Sequence, residues 1–352
     1  MSAARNCLCF LTHYYRCYLK TAAIISRITP PMNPKPAFTK YAWFVLGWNL
    51  LVILWGVFLR ASKSGDGCGQ HWLTCQGEVI PSAPQLKTII EFSHRVTSSL
   101  AGIVIIILVV WAFKRWRNNR TPESSFTLKL AAGSLLFVVI EGLLGAGLVL
   151  TGNTAENLTP ERPLWMAGHL VNTFILLALL TLTAWHSGYH RDLNVPRKGA
   201  YKAGLAFGIA AIFIVGITGS IAALSSMIFP AGTIAEGLAA DFSPTSHLLL
   251  RLRFLHPITA ILAGVFLIFL TGWLAKEAGK NKCVVKWANI LSLLVLGQLG
   301  VGAATLLTHS PIVMQIAHLF LVDAIWISYV LFAANFSALE YLPATADAAS
   351  EI

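Results

Sequence analysis

Residues 91–108 read EFSHRVTSSLAGIVIIIL, an apolar helical run that carries a carboxylate and an imidazole near its first end. Glu91 and His94 are three residues apart, so both side chains lie on one face of a helix. Ionisable side chains inside a membrane span are costly and usually face the interior of a helix bundle. The stretch therefore predicts a transmembrane helix with a functional site near one end.

Seven further apolar runs of similar length accompany this one along the chain. Of the 352 residues, 56% are hydrophobic and 12% are charged, whereas soluble domains carry about 25% charged residues. A bilayer core about 30 Å thick takes about 20 helical residues, and backbone groups in lipid must be satisfied within the span. Continuous runs also exclude the alternating strands of a β-barrel. The predicted spans are 41–60, 88–113, 127–150, 164–185, 203–225, 250–275, 287–307 and 312–334.

The net charge of +11 indicates membrane topology rather than nucleic-acid binding. Nineteen of the 26 Lys and Arg residues lie in four segments, and the intervening loops carry acids instead. Because basic residues concentrate in cytoplasmic loops, both termini are predicted to be cytoplasmic, and no nucleic-acid partner is expected. The basic segments are 1–40, 114–129, 186–202 and 276–286, and the acids are Asp66, Glu78, Glu156, Glu161, Glu236 and Asp241.

Both ends of the chain are predicted to be cytoplasmic tails, 1–40 and 336–352. The first tail holds six basic residues, no acid and three cysteines. It is interpreted as disordered, or as residues upstream of a start at Met32, with a lipidated cysteine as a weaker alternative. We assign it no chemistry.

Cys68 and Cys75 lie in an external loop, GDGCGQHWLTCQGEVIP at 65–81, with six residues between them. Disulfides persist on the oxidising side of a membrane. A staple that closes a small loop and a redox-active or docking role both stay open. A metal site is less favoured, because His71 is the only other soft ligand nearby.

The second half of the chain repeats the first in the same order. EFSHRVTSSLAGIV aligns with RFLHPITAILAGVF, EGLLGAGL with LGQLGVGA, and AGHL with IAHL. This predicts an all-α integral membrane protein of two four-helix bundles, 41–185 and 203–335, joined by a cytoplasmic linker at 186–202. A parallel repeat of this kind is related by an axis along the membrane normal. The aligned pairs are His94 with His256, Gly145 with Gly300, and His169 with His318.

Four histidines at repeat-equivalent positions predict haem ligation. Each begins an even-numbered span near its external end, and each half holds two of them. Two imidazoles that face each other inside a bundle hold a haem iron from both sides, whereas zinc needs four clustered ligands. We therefore expect two haem sites toward the outer leaflet. Their ligands would be His94, His169, His256 and His318.

Charged residues around these histidines differ between the halves. Haem propionates need cations, and Arg95, Arg251 and Arg253 at the outer ends are candidates, with lipid headgroups as their alternative partners. The position equivalent to Glu91 is Arg253, so the carboxylate belongs to the first half only. This asymmetry predicts one reactive and one supporting site. Glu141 is a second buried acid, for which an interhelical hydrogen bond and a catalytic role both stay open.

These motifs together resemble the haem A synthase family of respiratory membranes over residues 41–335. The resemblance implies oxidation of the C8 methyl of haem O to a formyl group, by successive hydroxylations and loss of water, to give haem A for cytochrome oxidase. The motifs on which the resemblance rests are the paired-cysteine loop, EFSHR at 91–95, GHLVNT at 168–173, the segment 221–257 (IAALSSMIFPAGTIAEGLAADFSPTSHLLLRLRFLHP) and QIAHLF at 315–320.

The resemblance also implies roles for the site residues. His256 and His318 would be the axial ligands of a haem B cofactor, and His94 and His169 would flank the haem O substrate. Glu91 matches the family's acidic residue and would handle protons or stabilise positive charge at the oxidised carbon. The alternative is a purely structural role, in which this glutamate only fixes the neighbouring histidine or the cysteine loop.

The expected surroundings follow from the same resemblance. Cys68 and Cys75 match the subset of the family that has a paired-cysteine loop. Haem O synthase and an unidentified electron partner are expected in the bacterial cell (inner) membrane. The competing functions are a dihaem electron-transfer cytochrome with two permanent haems, and a haem chaperone or transporter. The Glu91/Arg253 asymmetry favours the enzyme over a carrier with equivalent sites.

Overall fold

The computed structural model describes residues 37–189, 196, 198–279 and 281–339. Within these ranges the chain is helical, without strands, and eight spans are long and apolar enough to cross a membrane. The predicted all-α membrane fold is therefore confirmed. The helices are α1 (Ala37–Ala61), α2 (Leu86–Asn118), α3 (Pro122–Leu150), α4 (Arg162–Tyr189), α5 (Gly199–Ile228), α6 (Ile234–Phe242), α7 (Leu248–Arg253), α8 (Leu255–Glu277), α9 (Lys282–Leu307) and α10 (Ile312–Leu339).

The helices extend into the segments that were predicted as tails and linker. α1 begins at Ala37, inside the predicted tail 1–40, and the rest of that tail lies outside the described residues. α4 runs to Tyr189 and α5 starts at Gly199, so helix occupies both ends of the predicted linker. α10 continues to Leu339. Apolar content sets the membrane-embedded length, but a helix continues into water until a cap or breaker ends it.

Two short helices in the external segment between α5 and α8 differ from the prediction. The segment was expected to be a plain loop, but α6 forms there, and the Thr233 side chain accepts a hydrogen bond from the Glu236 N–H (3.1 Å) at its start. The Thr233 cap satisfies a donor that a helix end otherwise leaves unpaired. The predicted sixth span is divided at Phe254 into α7 and α8.

The first four membrane helices pack as a ring. α1 contacts α2, α2 contacts α3, α3 contacts α4, and α4 returns to α1. The later helices follow as α5 on α8, α8 on α9 and α9 on α10, and α10 also packs against α1 and α4. The internal repeat and the division into two halves stay predictions, and α10 provides much of the contact between the two groups of helices.

Aromatic side chains fill the junction where α4, α5 and α10 meet. The Trp326 ring stacks on Phe174 at 5.6 Å between centroids and meets Phe213 edge-on at 5.5 Å. The indole N–H of Trp326 donates to the Phe174 carbonyl (2.7 Å), so its polar atom is satisfied in the apolar interior. Such pairs add about 0.5–1.5 kcal/mol beyond the area they bury.

A glycine lets α5 and α10 approach closely below this junction. A Cβ built on Gly208 would lie 2.2 Å from the Tyr329 hydroxyl oxygen, and that hydroxyl donates to the Leu205 carbonyl (2.7 Å). Small residues serve this purpose in membrane helix packing. The tyrosine could not keep both its position and its hydrogen bond beside a larger residue.

We expect Gly208→Ala to destabilise the protein, because the new methyl displaces Tyr329 and breaks the α5–α10 hydrogen bond, at a cost of about 1–3 kcal/mol. Thermal unfolding of the detergent-solubilised protein measures the change. Gly272→Ala is the matched control, since nothing lies within 4 Å of a Cβ built there. Equal melting temperatures for the two variants would contradict the packing argument.

Candidate functional site

The loop between α1 and α2, predicted to be external, is closed by a disulfide and rests on the first turn of α2. Cys68 and Cys75 form the bond, and both are buried. Gly67 lies directly on α2, because a Cβ there would come within 2.3 Å of the Lys87 carbonyl oxygen. The Thr88 hydroxyl donates to the Gly67 carbonyl (2.8 Å). The predicted disulfide is thus present and closes this loop, and its alternative redox or docking role stays a prediction.

Glu91 joins this loop to α2. Its side chain is buried, with only 3% of the residue exposed. One carboxylate oxygen accepts the backbone N–H of Cys68 (2.8 Å), and the other accepts the Arg95 guanidinium one turn along (2.5 Å). A buried carboxylate needs such partners. The structure therefore gives Glu91 a loop-anchoring contact, whatever chemistry it also performs.

Arg95 completes the anchor from the same helix face. Its other terminal nitrogen donates to the carbonyls of His71 (2.6 Å) and Thr74 (2.8 Å) within the disulfide loop. This guanidinium therefore bonds to two loop carbonyls and to Glu91. Its predicted propionate contact stays a prediction, and these hydrogen bonds are a role that the sequence pattern did not indicate.

A second contact joins the loop before α2 to the loop before α4. Lys63 pairs with Glu156, and this hydrogen bond and positive charge lower the pKa of the Glu156 carboxyl. A Cβ on Gly152 would meet the Gln70 side chain at 2.5 Å. The two external loops thus form one surface over the outer ends of α1–α4.

Arg253, at the position aligned with Glu91, holds an external segment by the opposite charge. Its guanidinium pairs with Asp241 of α6 (2.7 Å) and donates to the Gly237 carbonyl (3.0 Å). Arg251, the neighbouring candidate for a propionate, is exposed. Glu91 in α2 and Arg253 at the end of α7 are therefore both charged side chains that lie three residues before a predicted ligand histidine and bond to a neighbouring segment.

The first predicted histidine pair lies inside the ring of α1–α4. The His94 ring faces α1, where a Cβ on Gly56 would come within 3.1 Å of its Cε1 atom. His169 is close enough to interact electrostatically with His94. The His94 Nδ1 atom is buried without a hydrogen-bond partner. The two imidazoles thus lie within electrostatic range of each other, with an unpartnered buried nitrogen on His94, and the ligation of a haem between them stays a prediction.

Glu141 of α3 holds the helix that carries His169. Its carboxylate accepts the Asn172 side-chain amide and the Thr173 hydroxyl, and it lies 3.0 Å from the His169 Nδ1 atom, though not at a hydrogen-bonding angle. The Asn172 amide also donates to the Phe137 carbonyl (2.9 Å). Of the two interpretations of Glu141, the interhelical hydrogen bond is present.

The second predicted pair, His256 and His318, is also brought together. Their ring centroids lie 6.1 Å apart and the rings are nearly perpendicular. Each ring rests on a glycine of a neighbouring helix: a Cβ would lie 2.9 Å from His256 on Gly219 and 3.1 Å from His318 on Gly302. The Gln298 amide nitrogen lies 3.1 Å from both nitrogens of His318.

The spacing of this pair fits an iron between two imidazoles. Two metal–nitrogen bonds of about 2 Å each, plus the distance from each nitrogen to its ring centre, give roughly 6 Å between centroids. Within the described ranges, no group of three or more His, Cys, Asp and Glu side chains is placed to hold a metal ion. Haem, which supplies four equatorial ligands itself, needs only the two histidines.

Comparison with known proteins places the chain in a family. Residues 39–330 match the COX15-CtaA family of cytochrome oxidase assembly proteins. The chain belongs to this family. The resemblance seen in the histidine motifs is thereby confirmed at the level of the family, and the eight apolar helices of a COX15-CtaA protein are those of a multi-pass membrane protein.

Relatives of this COX15-CtaA chain carry two different names. A Protoheme IX farnesyltransferase of Thermus thermophilus is 41% identical over 87% of this chain but only 49% of its own length. The chain thus spans about half the length of that relative. The Heme A synthase of Shouchella clausii is 31% identical over 79% of this chain and 89% of its own length. That of Alkalihalophilus pseudofirmus is 29% identical over 83% and 92%.

Several buried polar residues near the histidines of this COX15-CtaA protein escaped the sequence reasoning. Arg162 is 3% exposed, and its guanidinium donates to the Thr154, Ala155 and Asn157 carbonyls of the loop before α4. Asp323 of α10 is 1% exposed, and both of its carboxyl oxygens are without a hydrogen-bond partner. An acid within an apolar run is a signal by itself.

We expect Arg95→Gln to loosen the disulfide loop. The substitution removes charge-assisted hydrogen bonds worth about 1.5–3 kcal/mol each and leaves Glu91 with the Cys68 N–H alone. Amide hydrogen exchange in the loop should accelerate at least about tenfold, since 1.4 kcal/mol corresponds to a factor of ten.

Arg251→Gln is the control for this measurement, because Arg251 is an exposed guanidinium on a neighbouring external segment. Unchanged exchange in the Arg95 variant would show that the loop is held by its disulfide and its other contacts alone.

Proposed function

We propose that this chain is a haem A synthase, which oxidises the C8 methyl group of haem O to a formyl group. The observation that carries the proposal is a pair of half-buried histidines on different helices at each of two positions, with glycines against three of the four rings. The chain's family and the name of two relatives over most of their length support the same reaction.

In this proposal the two histidine pairs have different occupants. His94 and His169 would flank the substrate haem O, and His256 and His318 would hold a haem B cofactor. Haem B bound there would supply one-electron redox chemistry to the substrate site. The glycine behind each ring except His169 keeps the imidazole close to the neighbouring helix, so the ring's orientation is fixed by backbone rather than by a mobile side chain.

Glu91 is proposed as the catalytic acid–base group of the substrate site. It lies three residues before His94, so both side chains share a helix face. Its carboxylate is desolvated, with one oxygen on the Cys68 N–H and the other on Arg95. A charged group held rigidly away from water acts strongly on charge that develops nearby. The second half has Arg253 instead, which supports a single reactive site.

The orientation of the protein is part of the same proposal. Both termini would face the cytoplasm of a bacterial cell, and the histidines would lie toward the outer leaflet. The distribution of Lys and Arg supports this orientation. The disulfide between Cys68 and Cys75 supports it too, because such bonds persist on the oxidising side.

We further propose that the chain acts beside the enzyme that makes its substrate. The Thermus thermophilus relative is named Protoheme IX farnesyltransferase and matches this chain over about half of its length. In one polypeptide, a farnesylating unit could pass the farnesylated haem directly to a unit like this chain, without release into the membrane. An electron partner is required in addition: it would accept four electrons per methyl group oxidised if water supplies the oxygen, and it would deliver electrons if two hydroxylations use dioxygen.

Co-expression with a haem O synthase, followed by extraction and chromatography of the pigments, tests the activity. We expect haem A from the wild-type chain. The Glu91→Ala variant should accumulate haem O or the hydroxylated intermediate, with haem A reduced by about a hundredfold or more, as for loss of one preorganised electrostatic group. Glu236→Ala, at an exposed carboxylate of α6, should retain the wild-type yield.

The Arg95→Gln variant separates chemistry from loop anchoring, because it weakens the loop contact and keeps the Glu91 carboxylate. Substantial haem A from it would support the catalytic role. Haem A as low as in Glu91→Ala would show that Glu91 acts only through the loop. Haem B alone from the wild-type chain, with haem O unchanged, would instead favour a dihaem electron carrier and overturn the enzymatic proposal.

A further inference from the structure

Seven basic residues lie outside the four basic segments, and Arg60 stands apart among them. Four of the seven pair with carboxylates, one donates to loop carbonyls and one is exposed. Arg60 alone is half-buried without a carboxylate within 4.0 Å among the described residues. The set is Lys63, Lys87, Arg95 and Arg253 with carboxylates, Arg162 with carbonyls, exposed Arg251, and Arg60.

The surroundings of Arg60 leave its charge uncompensated. Its one described hydrogen bond runs from Nη2 to the Gln315 side-chain oxygen (3.4 Å), a neutral acceptor. The charged group that acts on it is a second guanidinium, Arg162. A half-buried guanidinium without an acid within 4.0 Å is costly unless an anion lies beside it.

Arg60 lies outward of the first histidine pair on the same helix face. It follows Gly56, the residue against the His94 ring, by four positions, so the two share a face of α1. At a rise of about 1.5 Å per residue, Arg60 is about 6 Å nearer the external end. Arg162 precedes His169 by seven residues, two turns outward on its own helix face.

Neighbouring groups hold the arginine in this place. Gln315 is itself fixed, because its amide nitrogen donates to the Ser310 carbonyl (2.7 Å), which turns its oxygen toward Arg60. Arg162 is fixed by the three carbonyls of the loop before α4. The remaining donors of the Arg60 guanidinium have no described acceptor, and a planar guanidinium suits a carboxylate with two parallel hydrogen bonds.

We propose that Arg60 binds a carboxylate of the tetrapyrrole that lies between His94 and His169. This inference rests on the proposed function, since it takes haem O as the occupant of that pair. Haem carries its two carboxylates on one edge, and Arg60 places a cation at the outer edge of the first pair. Arg95 and Arg253, the arginines that the sequence pattern favoured, already donate to a loop or to Asp241.

A lipid phosphate is the other oxyanion that a guanidinium at this depth could meet. The position of Arg60 in line with Gly56, rather than on a lipid-facing side of α1, favours the tetrapyrrole. Esterification distinguishes the two sources, because it removes the negative charge from the tetrapyrrole and leaves the lipid unchanged.

The test compares uptake of haem O and of haem O dimethyl ester by the full-length protein in detergent, followed by the shift of the Soret band. We expect wild-type protein to bind the diacid at least about tenfold more tightly than the diester, as for one charge-assisted contact. In Arg60→Gln this preference should fall to about onefold to threefold. Arg60→Lys should keep part of it, and Arg117→Gln, at an exposed guanidinium in the last turn of α2, should keep all of it.

The outcomes separate this inference from the proposed function. Equal diacid preference in wild type and Arg60→Gln overturns the inference while haem O binding stands. A loss of co-purified phospholipid in Arg60→Gln, with diacid preference unchanged, assigns the arginine to lipid and also overturns it. Alanine variants of His94 and His169 test the proposed function itself. If haem O uptake is unchanged in them, the proposed function is wrong, and the inference that rests on it is wrong as well.

Discussion

A charged side chain at a helix end, bonded to the segment that lies over it, is the interaction on which this end of the helix bundle depends. Glu91 accepts a backbone N–H of the disulfide loop, and Arg253 donates to a carbonyl and to Asp241 of α6. Each lies three residues before a histidine of a predicted pair. Because a buried charge without partners is costly, the loop and the helix end stabilise each other, and the histidines lie directly beneath this covering.

The same contact explains how one architecture can support two unlike sites. An anionic anchor holds the segment over the first pair and a cationic anchor holds the segment over the second. Behind the histidines the halves differ again, with Glu141 beside His169 and Gln298 beside His318. The partner of a ligating histidine influences the basicity of that ligand. Under the proposed function, the polarity around each pair, rather than the helix scaffold, would distinguish the reactive site from the supporting one.

Much of the fold could be read from the sequence, because a continuous apolar run of about 20 residues has few alternatives to a membrane helix. The four histidines were recognisable because their surrounding motifs recur in the same order, and the disulfide because two cysteines share one short loop. The use of Arg95, the division at Phe254 and the exposed position of Arg251 were not. These features depend on the direction of a side chain and on the path of a loop, and neither of these produces a periodic pattern in the sequence. Arg60 was overlooked because an arginine that ends a span is usual.

The glycines behind three of the four imidazole rings have a mechanical consequence. A ring that rests on Gly56, Gly219 or Gly302 has backbone directly behind it, so it cannot retreat toward that helix. Displacement of such a ligand would require rotation of the histidine side chain or separation of two helices. His169 instead has the Glu141 carboxylate 3.0 Å from its Nδ1 atom, and that carboxylate also accepts the Asn172 amide and the Thr173 hydroxyl. The position of this fourth ring therefore depends on a hydrogen-bonded side chain, whereas backbone limits the other three.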